Sequence, residues 1–364
     1  MTLAHLPKIL VIGPMPPPVH GYSLVTSFVV EELRKIARVE VVDNAPDTLV
    51  RRLRYHVERV YFAGCAAWAL LRQGGPDRVL YTAIAGGSGV LYDLPLVALA
   101  RACGFRIFFH HHSYNYVTRR RRLTAALFAL AGNATTHICL SADMARRLSD
   151  LYVRVQRTFV LSNAMLIAPA AGPSAHAGPI RLGFLSNLIP EKGLDVVLAV
   201  ARALHTQGVA FVLVVAGPAL SAEIRALLER ARVELGAALD YRGAVYGTEK
   251  TAFFQDIELF LFPTRYTNEA QPLVLLEALA AGVPVVTTDH GSIRETVGES
   301  GAVFSDVDYL REAVAMISLW SNDRAGLIQL SAATQRRAEA AHASALGDLS
   351  HLVKLIAGSQ SERA

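Results

Sequence analysis

Short apolar runs alternate with longer stretches of helical periodicity along most of the chain. An alternation of this kind is typical of βα units and predicts parallel sheets covered by helices. In the first half the predicted strands are 8–13, 39–44, 77–82, 106–110, 137–141 and 158–163. In the second half they are 180–186, 210–217, 239–243, 259–264, 283–289 and 302–304. This count predicts an α/β protein with two doubly wound, Rossmann-like sheets.

A break in the pattern separates the two halves. Residues 167–179 are rich in Ala, Gly and Pro and show no periodicity, which is typical of a linker between domains. From about residue 310 the pattern is helical to the end of the chain. We therefore expect a first domain at 1–166, a second at 179–340, and a helix at 341–364 that crosses back to the first.

The composition bears on where the protein works. Hydrophobic residues make up 52% of the chain. The longest apolar runs, around 60–71, 90–100 and 123–131, are nevertheless shorter than the roughly 20 residues that span a bilayer. The first residues lack the apolar stretch of a signal peptide, and the three cysteines are widely spaced. We expect a cytoplasmic protein.

Charge divides unevenly between the halves. Residues 1–165 hold 20 Lys and Arg against 10 Asp and Glu, whereas the remainder holds 16 against 21. A basic half and an acidic half predict two surfaces that meet different partners. Nucleic acid is an unfavoured partner, because the arginines are not interleaved with stacking aromatics and form no known reading motif.

The segment 268–289, NEAQPLVLLEALAAGVPVVTTD, carries two carboxylates eight residues apart, Glu269 and Glu277. If a helix begins near Pro272, amides of its first turn face any anion bound there. A carboxylate accepts well from neighbouring hydroxyls such as those of a sugar. The alternative is that Glu277 is a solvated helix residue and Glu269 only complements the helix dipole.

The whole segment resembles the Glu-x7-Glu motif of the retaining glycosyltransferase family four, which has the GT-B fold of two Rossmann-like domains facing a cleft. The match continues through 281–286 and 291–295, where Ser292 and Glu295 also read as a capping box. Upstream, 184–193, FLSNLIPEKG, resembles the strand-then-Lys-Gly element of that family. The specific similarity covers most of residues 180–305.

The resemblance implies roles for these side chains. Glu277 would hold the ribose hydroxyls, Glu269 the hydroxyls of the donor sugar, and Lys192 would neutralise the diphosphate. Asn187 stands where the family usually has Arg, and it can donate a hydrogen bond without bringing charge. Arg265 either supplies the missing guanidinium or is an ordinary loop charge. Further donor-binding positions at the start of the helix are Ala270, Gln271, Pro272 and Leu273.

The first half offers a Pro-rich loop at 13–23, in which Gly21 opens the next helix. It is not a dinucleotide fingerprint, and it is either a rigid turn or a ligand contact at the carboxyl edge of the sheet. Transferases of polysaccharide assembly in the resembled family have a similar loop. By that similarity, amides near Gly21 approach the donor diphosphate.

Three histidines follow the fourth predicted strand, His110, His111 and His112. In extended backbone neighbours point to opposite faces, so only His110 and His112 can converge. No Asp or Glu lies close in sequence, and we predict no metal site. In the resembled family a histidine near this position contacts the donor sugar, which implies this role for His110 or His112.

Two basic clusters lie at 51–54 and 119–122, the second running into the apolar stretch 123–130. Cations that flank an apolar helix suit an anionic membrane surface, and a solvated helix end explains the same residues equally well.

The resemblance to family four implies a retaining hexosyltransferase that needs no cofactor. It would move a sugar from a UDP- or GDP-sugar to a lipid-linked or saccharide acceptor, in bacterial surface polysaccharide synthesis at the inner membrane face. Two alternatives remain open at this stage. One is a weakly active or silent homologue that serves as a partner subunit, and the other is a nucleotide-sugar epimerase.

Overall fold

The structure is a computed structural model that describes residues 7–17, 21–44, 53–73, 78–173 and 178–358. The chain divides into two compact units. The first unit comprises residues 1–166 and 344–364, and the second comprises residues 167–343. Among the described residues, no helix combines the length and the hydropathy needed to cross a bilayer.

The first unit is a parallel sheet with the strand order β2-β1-β3-β4-β5-β6. Its strands are β1 Lys8–Gly13, β2 Arg38–Asp43, β3 Val79–Ala83, β4 Arg106–His110, β5 Thr136–Cys139 and β6 Arg157–Val160. Its helices are α1 Gly21–Arg34, α2 Leu53–Gln73, α3 Val90–Ala102, α4 Asn115–Thr118, α5 Arg122–Ala131 and α6 Ala142–Leu151.

The second unit is a parallel sheet with the order β12-β11-β10-β7-β8-β9. Its strands are β7 Ile180–Leu185, β8 Phe211–Ala216, β9 Leu239–Tyr241, β10 Leu259–Phe262, β11 Val285–Thr288 and β12 Gly301–Phe304. Its helices are α7 Leu194–Thr206, α8 Ala222–Leu235, α9 Gly247–Gln255, α10 Leu273–Ala280, α11 Ile293–Val297 and α12 Tyr309–Asn322. A last helix, α13, runs from Arg324 to Ala357.

Every predicted strand is present, with ends that shift by a few residues. The shift at β11 has a plain cause. The prediction began at Val283, whereas the strand begins at Val285, because Pro284 has no amide to donate to a ladder. The carbonyl of Pro284 instead accepts from the amide of Phe260 at 2.9 Å.

The four central strands of the second unit, β7, β8, β10 and β11, are largely buried on both faces, as parallel strands covered by helices are. All four residues of β10, Leu259–Phe262, are buried. Leu259 and Leu261 pack with α7, α8 and α12, and Phe260 and Phe262 pack with α9, α10 and α11. The sequence LFLF therefore reads as a continuous apolar run, without the alternation of a half-exposed strand.

The predicted linker begins within the second unit, where Ala170 is hydrogen-bonded to two of its helices. The amide of Ala170 donates to the carbonyl of Ala280 at 3.0 Å, and Gln335 Nε2 donates to the carbonyl of Ala170 at 3.0 Å. Within α13, residues up to 343 belong to the second unit and residues from 344 to the first. In the first unit, Arg106 Nη2 donates to the carbonyl of Leu355 at 3.1 Å.

Each sheet has one point where the strand order reverses, between β1 and β3 in the first unit and between β7 and β10 in the second. Open α/β sheets bind ligands outside the carboxyl ends of their strands at such a point. The loops that follow these four strands are therefore the places to look for chemistry.

A glycine at the end of β8 is required by its surroundings. Gly217 has a φ of +133°, and a Cβ added there would lie 1.8 Å from the carbonyl oxygen of Ser186. Gly208 also has a positive φ, +71°, but nothing lies within 4 Å of its added Cβ. A comparison of the two positions therefore separates the cost of a positive φ from the cost of a steric clash.

We expect Gly217→Ala to lower the free energy of unfolding by about 3 kcal/mol or more, because strain and a backbone clash add together. Gly208→Ala is the matched control and should lose only about 1–2 kcal/mol, from strain alone. Urea denaturation of the two variants makes the comparison. Equal losses would show that the backbones of residues 186 and 217 separate at little cost.

Candidate functional site

An ion pair joins the loops that follow β7 and β10. Lys192 ends a short 3₁₀ turn, Pro190–Lys192, and its Nζ contacts Oε2 of Glu269. The same carboxylate oxygen accepts from the hydroxyl of Thr264 at 3.2 Å. Both side chains of the pair are largely buried. A cation and an acceptor therefore meet at the reversal point of the second sheet.

Glycines allow these loops to approach. Gly193 has a φ of +82°, and its added Cβ would lie 2.1 Å from the carbonyl oxygen of Pro263. Gly291, with a φ of +59°, would place a Cβ 2.2 Å from the carbonyl oxygen of Glu269. Because neither glycine has a side chain, the loops after β7 and β11 both close on the loop that carries Glu269.

Two aromatic rings also lie close to the ammonium of Lys192. Lys192 Nζ lies 5.0 Å from the ring centroid of Tyr266 and 5.5 Å from that of Phe262. Ring faces attract a cation at these distances. The ammonium is therefore fixed between one carboxylate and two rings.

A second carboxylate–lysine pair lies on neighbouring helices. Lys250 on α9 places its Nζ 2.6 Å from Oε1 and 2.5 Å from Oε2 of Glu277 on α10. Hydrogen-bond geometry is met at Oε1 alone. Burial raises the pKa of Glu277 above its ordinary value, and Lys250 opposes that rise.

Lys250 was missed by the sequence reasoning. It lies 27 residues before Glu277, and no motif marks it. Only the packing of α9 beside α10 brings the two charges together.

The remaining predicted donor positions of the second unit lie at the start of α10 and in the loop after β7. Pro272 is the N-cap of α10 and Leu273 its first residue, while Ala270 and Gln271 are buried just before it. Gln271 Nε2 donates to the hydroxyl of Thr296 at 3.1 Å. Asn187 is exposed in the turn after β7.

The guanidinium of Arg265 is already engaged. It donates to Asp195 Oδ1 at 2.7 Å and to the carbonyl of Pro190 at 2.9 Å. It therefore lies against the start of α7, on the same turn that ends in Lys192.

The predicted capping box is absent. Ser292 occupies the N-cap of α11, but its side chain makes no capping hydrogen bond. Its backbone amide is instead held by the carbonyl of Ala270 at 2.7 Å, because the loop here is pulled toward the Glu269 loop. Ser292 therefore holds its loop against the loop that carries Glu269, and its side chain does not cap α11.

In the first unit, His110 and His112 lie together, whereas His111 points elsewhere. The ring centroids of His110 and His112 are 4.1 Å apart, and the His112 ring stacks on Tyr22 at 4.5 Å. His111 contacts the hydroxyl of Tyr116 and the ring of His137, each at 3.0 Å. Strand alternation thus separates the three as expected.

His110 is a neutral, buried imidazole. Burial, with smaller contributions from His112 and His111, holds its pKa well below the ordinary value. Its Nδ1 lies 2.5 Å from the hydroxyl of Tyr81. Its Nε2 is buried and has no hydrogen-bond partner among the residues that the structure describes.

Asp93 is a further acidic residue that the sequence did not reveal. Its Oδ2 accepts from the amide of Ala85 at 3.0 Å. Burial raises its pKa to about 6, against the opposing effects of the Ala85 hydrogen bond and Arg59. Its charge also raises the pKa of Tyr22, whose own burial is the larger cause. A first-turn acid in an apolar helix was the only signal available.

The other predicted features of the first unit are only partly described. Gly21 is exposed at the first position of α1, but residues 18–20 of the Pro-rich loop lie outside the described residues. Of the cluster 51–54, residues 51 and 52 also lie outside them, as does the side chain of Arg54. Residues 119–122 lead into α5. In the described parts of the chain, no group of three or more His, Cys, Asp or Glu is arranged to hold a metal ion.

Part of the chain is similar to a known protein family. Residues 179–322, most of the second unit, match the sequence profile of the family described as glycosyl transferases group 1. The chain is 33% identical over 137 residues to the colanic acid biosynthesis glycosyltransferase WcaL of Salmonella typhimurium. That stretch covers 36% of this chain and 33% of WcaL, so the chain spans about a third of the length of this relative.

Solved structures show the fold. Sucrose-phosphate synthase of Thermosynechococcus elongatus superposes with a TM-score of 0.74 over 97% of this chain and 100% of its own, at 16% identity. HepE of Anabaena, solved with UDP and glucose, gives a TM-score of 0.64 over 97% of this chain and 100% of its own, at 14% identity. With two parallel six-stranded sheets, the protein has the predicted GT-B fold.

The Glu277–Lys250 pair predicts a pH dependence of stability. Without Lys250, nothing opposes the effect of burial, so Lys250→Met should raise the pKa of Glu277 further. A carboxyl whose pKa is raised by folding contributes stability below its unfolded value and loses it as pH rises through the folded value. The free energy of unfolding of Lys250→Met should therefore fall further below that of the wild type over this rise in pH.

Urea denaturation across acidic and neutral pH measures the difference. The double variant Lys250→Met/Glu277→Gln is the control. It has no carboxyl at position 277 to titrate, so it should lose the added pH dependence. An identical pH profile for wild type and Lys250→Met would contradict the electrostatic coupling of the pair.

Proposed function

We propose that the protein is a glycosyltransferase that binds a nucleotide-sugar at the carboxyl edge of the second sheet. The observation that carries this proposal is the pairing of Lys192 with Glu269 at the reversal point, with Glu277 on the helix that follows. A nucleotide-sugar carries a negatively charged diphosphate and two sugars, the ribose and the transferred sugar. Its site therefore needs a cation for the diphosphate and acceptors for two sets of hydroxyls. The edge supplies all three.

The roles follow from charge and position. Lys192 would stabilise the diphosphate as it leaves, Glu269 would accept hydroxyls of the transferred sugar, and Glu277 would accept those of the ribose. The start of α10 adds backbone amides, including those of Ala270 and Gln271, that favour an anion. In the structure each of the two carboxylates is paired with a lysine. Donor binding would therefore replace lysine contacts with hydroxyl contacts.

The positive charge that the site can bring to a phosphate depends on Asn187 and Arg265. Asn187 is exposed and neutral, and the Arg265 guanidinium is bound to Asp195. For Arg265 to reach a phosphate, that exposed ion pair would have to open, which costs little in water. Without this change, Lys192 and the helix amides would neutralise the leaving group alone.

In the first unit, His110 and His112 remain our candidates for a hydrogen bond to a sugar hydroxyl. His110 is neutral, so its buried Nε2 can accept or donate according to tautomer. Gly21, at the exposed start of α1, is our candidate for an amide contact to phosphate.

We further propose retention of the anomeric configuration, a UDP- or GDP-sugar donor, and a lipid-linked or saccharide acceptor at the inner membrane face. The resemblance to family four supports retention. The WcaL match supports a role in bacterial surface polysaccharide, and the HepE complex with UDP and glucose supports a nucleotide-sugar. We assign no protein nucleophile.

A thermal-shift screen against UDP-, GDP-, ADP- and dTDP-sugars tests donor binding. One nucleotide at a hundred times its dissociation constant should add about 2.7 kcal/mol of stability. Glu277→Ala should abolish the shift, because the ribose loses its acceptor. Glu299→Ala, whose side chain is 83% exposed, is the control and should keep it. A shift that survives Glu277→Ala would overturn the site assignment.

Turnover separates an enzyme from a silent partner subunit. With lipid-linked saccharides as acceptors, Lys192→Met should lower kcat by about 10²–10³-fold, because its charge acts on the leaving group. Asn187→Arg should raise kcat if the missing guanidinium limits the reaction. Donor binding without release of nucleoside diphosphate, in wild type and Asn187→Arg alike, would favour the partner-subunit role. Conversion of the donor without any acceptor would favour an epimerase.

A further inference from the structure

Three helices of the first unit form one layer. α3 packs against α2 and also against α5. Helices that cover a sheet ordinarily turn their apolar stripe inward and their polar side chains to water. This layer departs from that rule.

α2 exposes an apolar stripe although it also buries apolar residues, among them Ala66, Ala69 and Leu70. Among the side chains of α2 that the structure describes, five large apolar or aromatic ones are between 61% and 68% exposed: Val57, Val60, Tyr61, Trp68 and Leu71. The spacing of these five places them on one stripe about 21 Å long. His56 and Arg72 of the same helix are exposed as well.

The charged residues of α2 that lie between these positions turn the other way. Glu58 and Arg59 are both half-buried. Arg59 Nη1 donates to the carbonyl of Asn44 at 3.2 Å, and its guanidinium lies 5.2 Å from the ring centroid of Tyr92. Glu58 and Arg59 are therefore partly covered, whereas the apolar stripe is left exposed.

The neighbouring helices continue the apolar surface. Leu91 on α3 is 55% exposed, and Leu123 and Leu130 on α5 are 40% and 41% exposed. Pro95 and Ala126 are also exposed between them. We call the outward side of these helices the α2–α3–α5 surface.

Exposed cations flank this surface, and acids are withdrawn from it. Arg119, Arg120 and Arg122 are exposed before and at the start of α5, and Arg101 is exposed in the last turn of α3. In the described residues of the three helices the only acids are Glu58 and Asp93, and neither is exposed.

We propose that the α2–α3–α5 surface docks on a lipid bilayer that contains anionic lipid, with α2 lying in the interface. Apolar side chains, Trp and Tyr on one side of a helix, with arginines at the margin, are what an interfacial helix presents to lipid. The arginines would meet anionic headgroups. A second copy of the chain is a poorer occupant, because it would bring the same arginines face to face.

This docking does not depend on nucleotide-sugar binding. It would hold the first unit against the membrane whether or not a donor is bound. It also goes beyond the basic cluster at 119–122, since it makes the uncharged stripe of α2 the main contact.

Tryptophan fluorescence tests the contact directly. The chain has two tryptophans, and Trp320→Phe leaves Trp68 as the only reporter. With vesicles of mixed phosphatidylglycerol and phosphatidylcholine, we expect Trp68 emission to shift to the blue and to be quenched by brominated acyl chains. Binding without either change would show a purely electrostatic association and would overturn the assignment of α2.

Sedimentation with the same vesicles measures affinity. Val60→Asp/Leu71→Asp should lower the partition coefficient at least about tenfold, because two charges enter the apolar contact. Val233→Asp is the control. Val233 is 86% exposed on α8 of the second unit, so it should bind like the wild type. Glu277→Ala should also bind normally, which separates this proposal from the donor site.

Three results would overturn the proposal. The first is equal binding by Val60→Asp/Leu71→Asp and Val233→Asp. The second is no binding of the wild type to anionic vesicles. The third is a dimer in light scattering that Val60→Asp/Leu71→Asp dissolves while vesicle binding is unchanged, which would assign the surface to a second copy.

Discussion

The close backbone approach of three loops at the reversal point of the second sheet is the constraint on which the polar edge depends. Gly193 and Gly291 place bare α-carbons against the carbonyls of Pro263 and Glu269, where any side chain would collide. The approach brings Lys192 within reach of Glu269. The lysine charge, the carboxylate acceptor and the start of α10 therefore lie at one edge of the sheet.

Both carboxylates of this edge are paired with lysines, and both are largely buried. Taking an ion pair out of water costs much of what the attraction returns, so such pairs are weak evidence for stability. A ligand rich in hydroxyls and phosphate can take over the same contacts without leaving a charge bare. For Glu277, burial already raises the pKa, so the carboxylate gains from any partner that supports its charge.

The first unit uses its polar groups differently. Burial lowers the pKa of His110 well below its ordinary value and raises that of Asp93 to about 6, so in both groups the uncharged form is favoured relative to water. Its layer of α2, α3 and α5 exposes the apolar stripe of α2, whereas Arg59 on the same helix is partly covered and lies against Tyr92. Arg101, Arg119, Arg120 and Arg122, which are part of the basic excess of residues 1–165, are exposed on or beside these helices, and the proposed membrane contact uses both features.

The sequence by itself determined the strands, the fold class and the positions of Lys192, Glu269 and Glu277, because these follow from local periodicity and from two separate motifs, 184–193 and 268–289. Strand alternation also separated His111 from its two neighbours. Tertiary structure alone decided that Lys250 meets Glu277, that Ser292 closes a loop without capping a helix, and that the apolar stripe of α2 faces outward. A periodic pattern shows which residues share a side of a helix, but only the packing of neighbouring elements decides which side is covered.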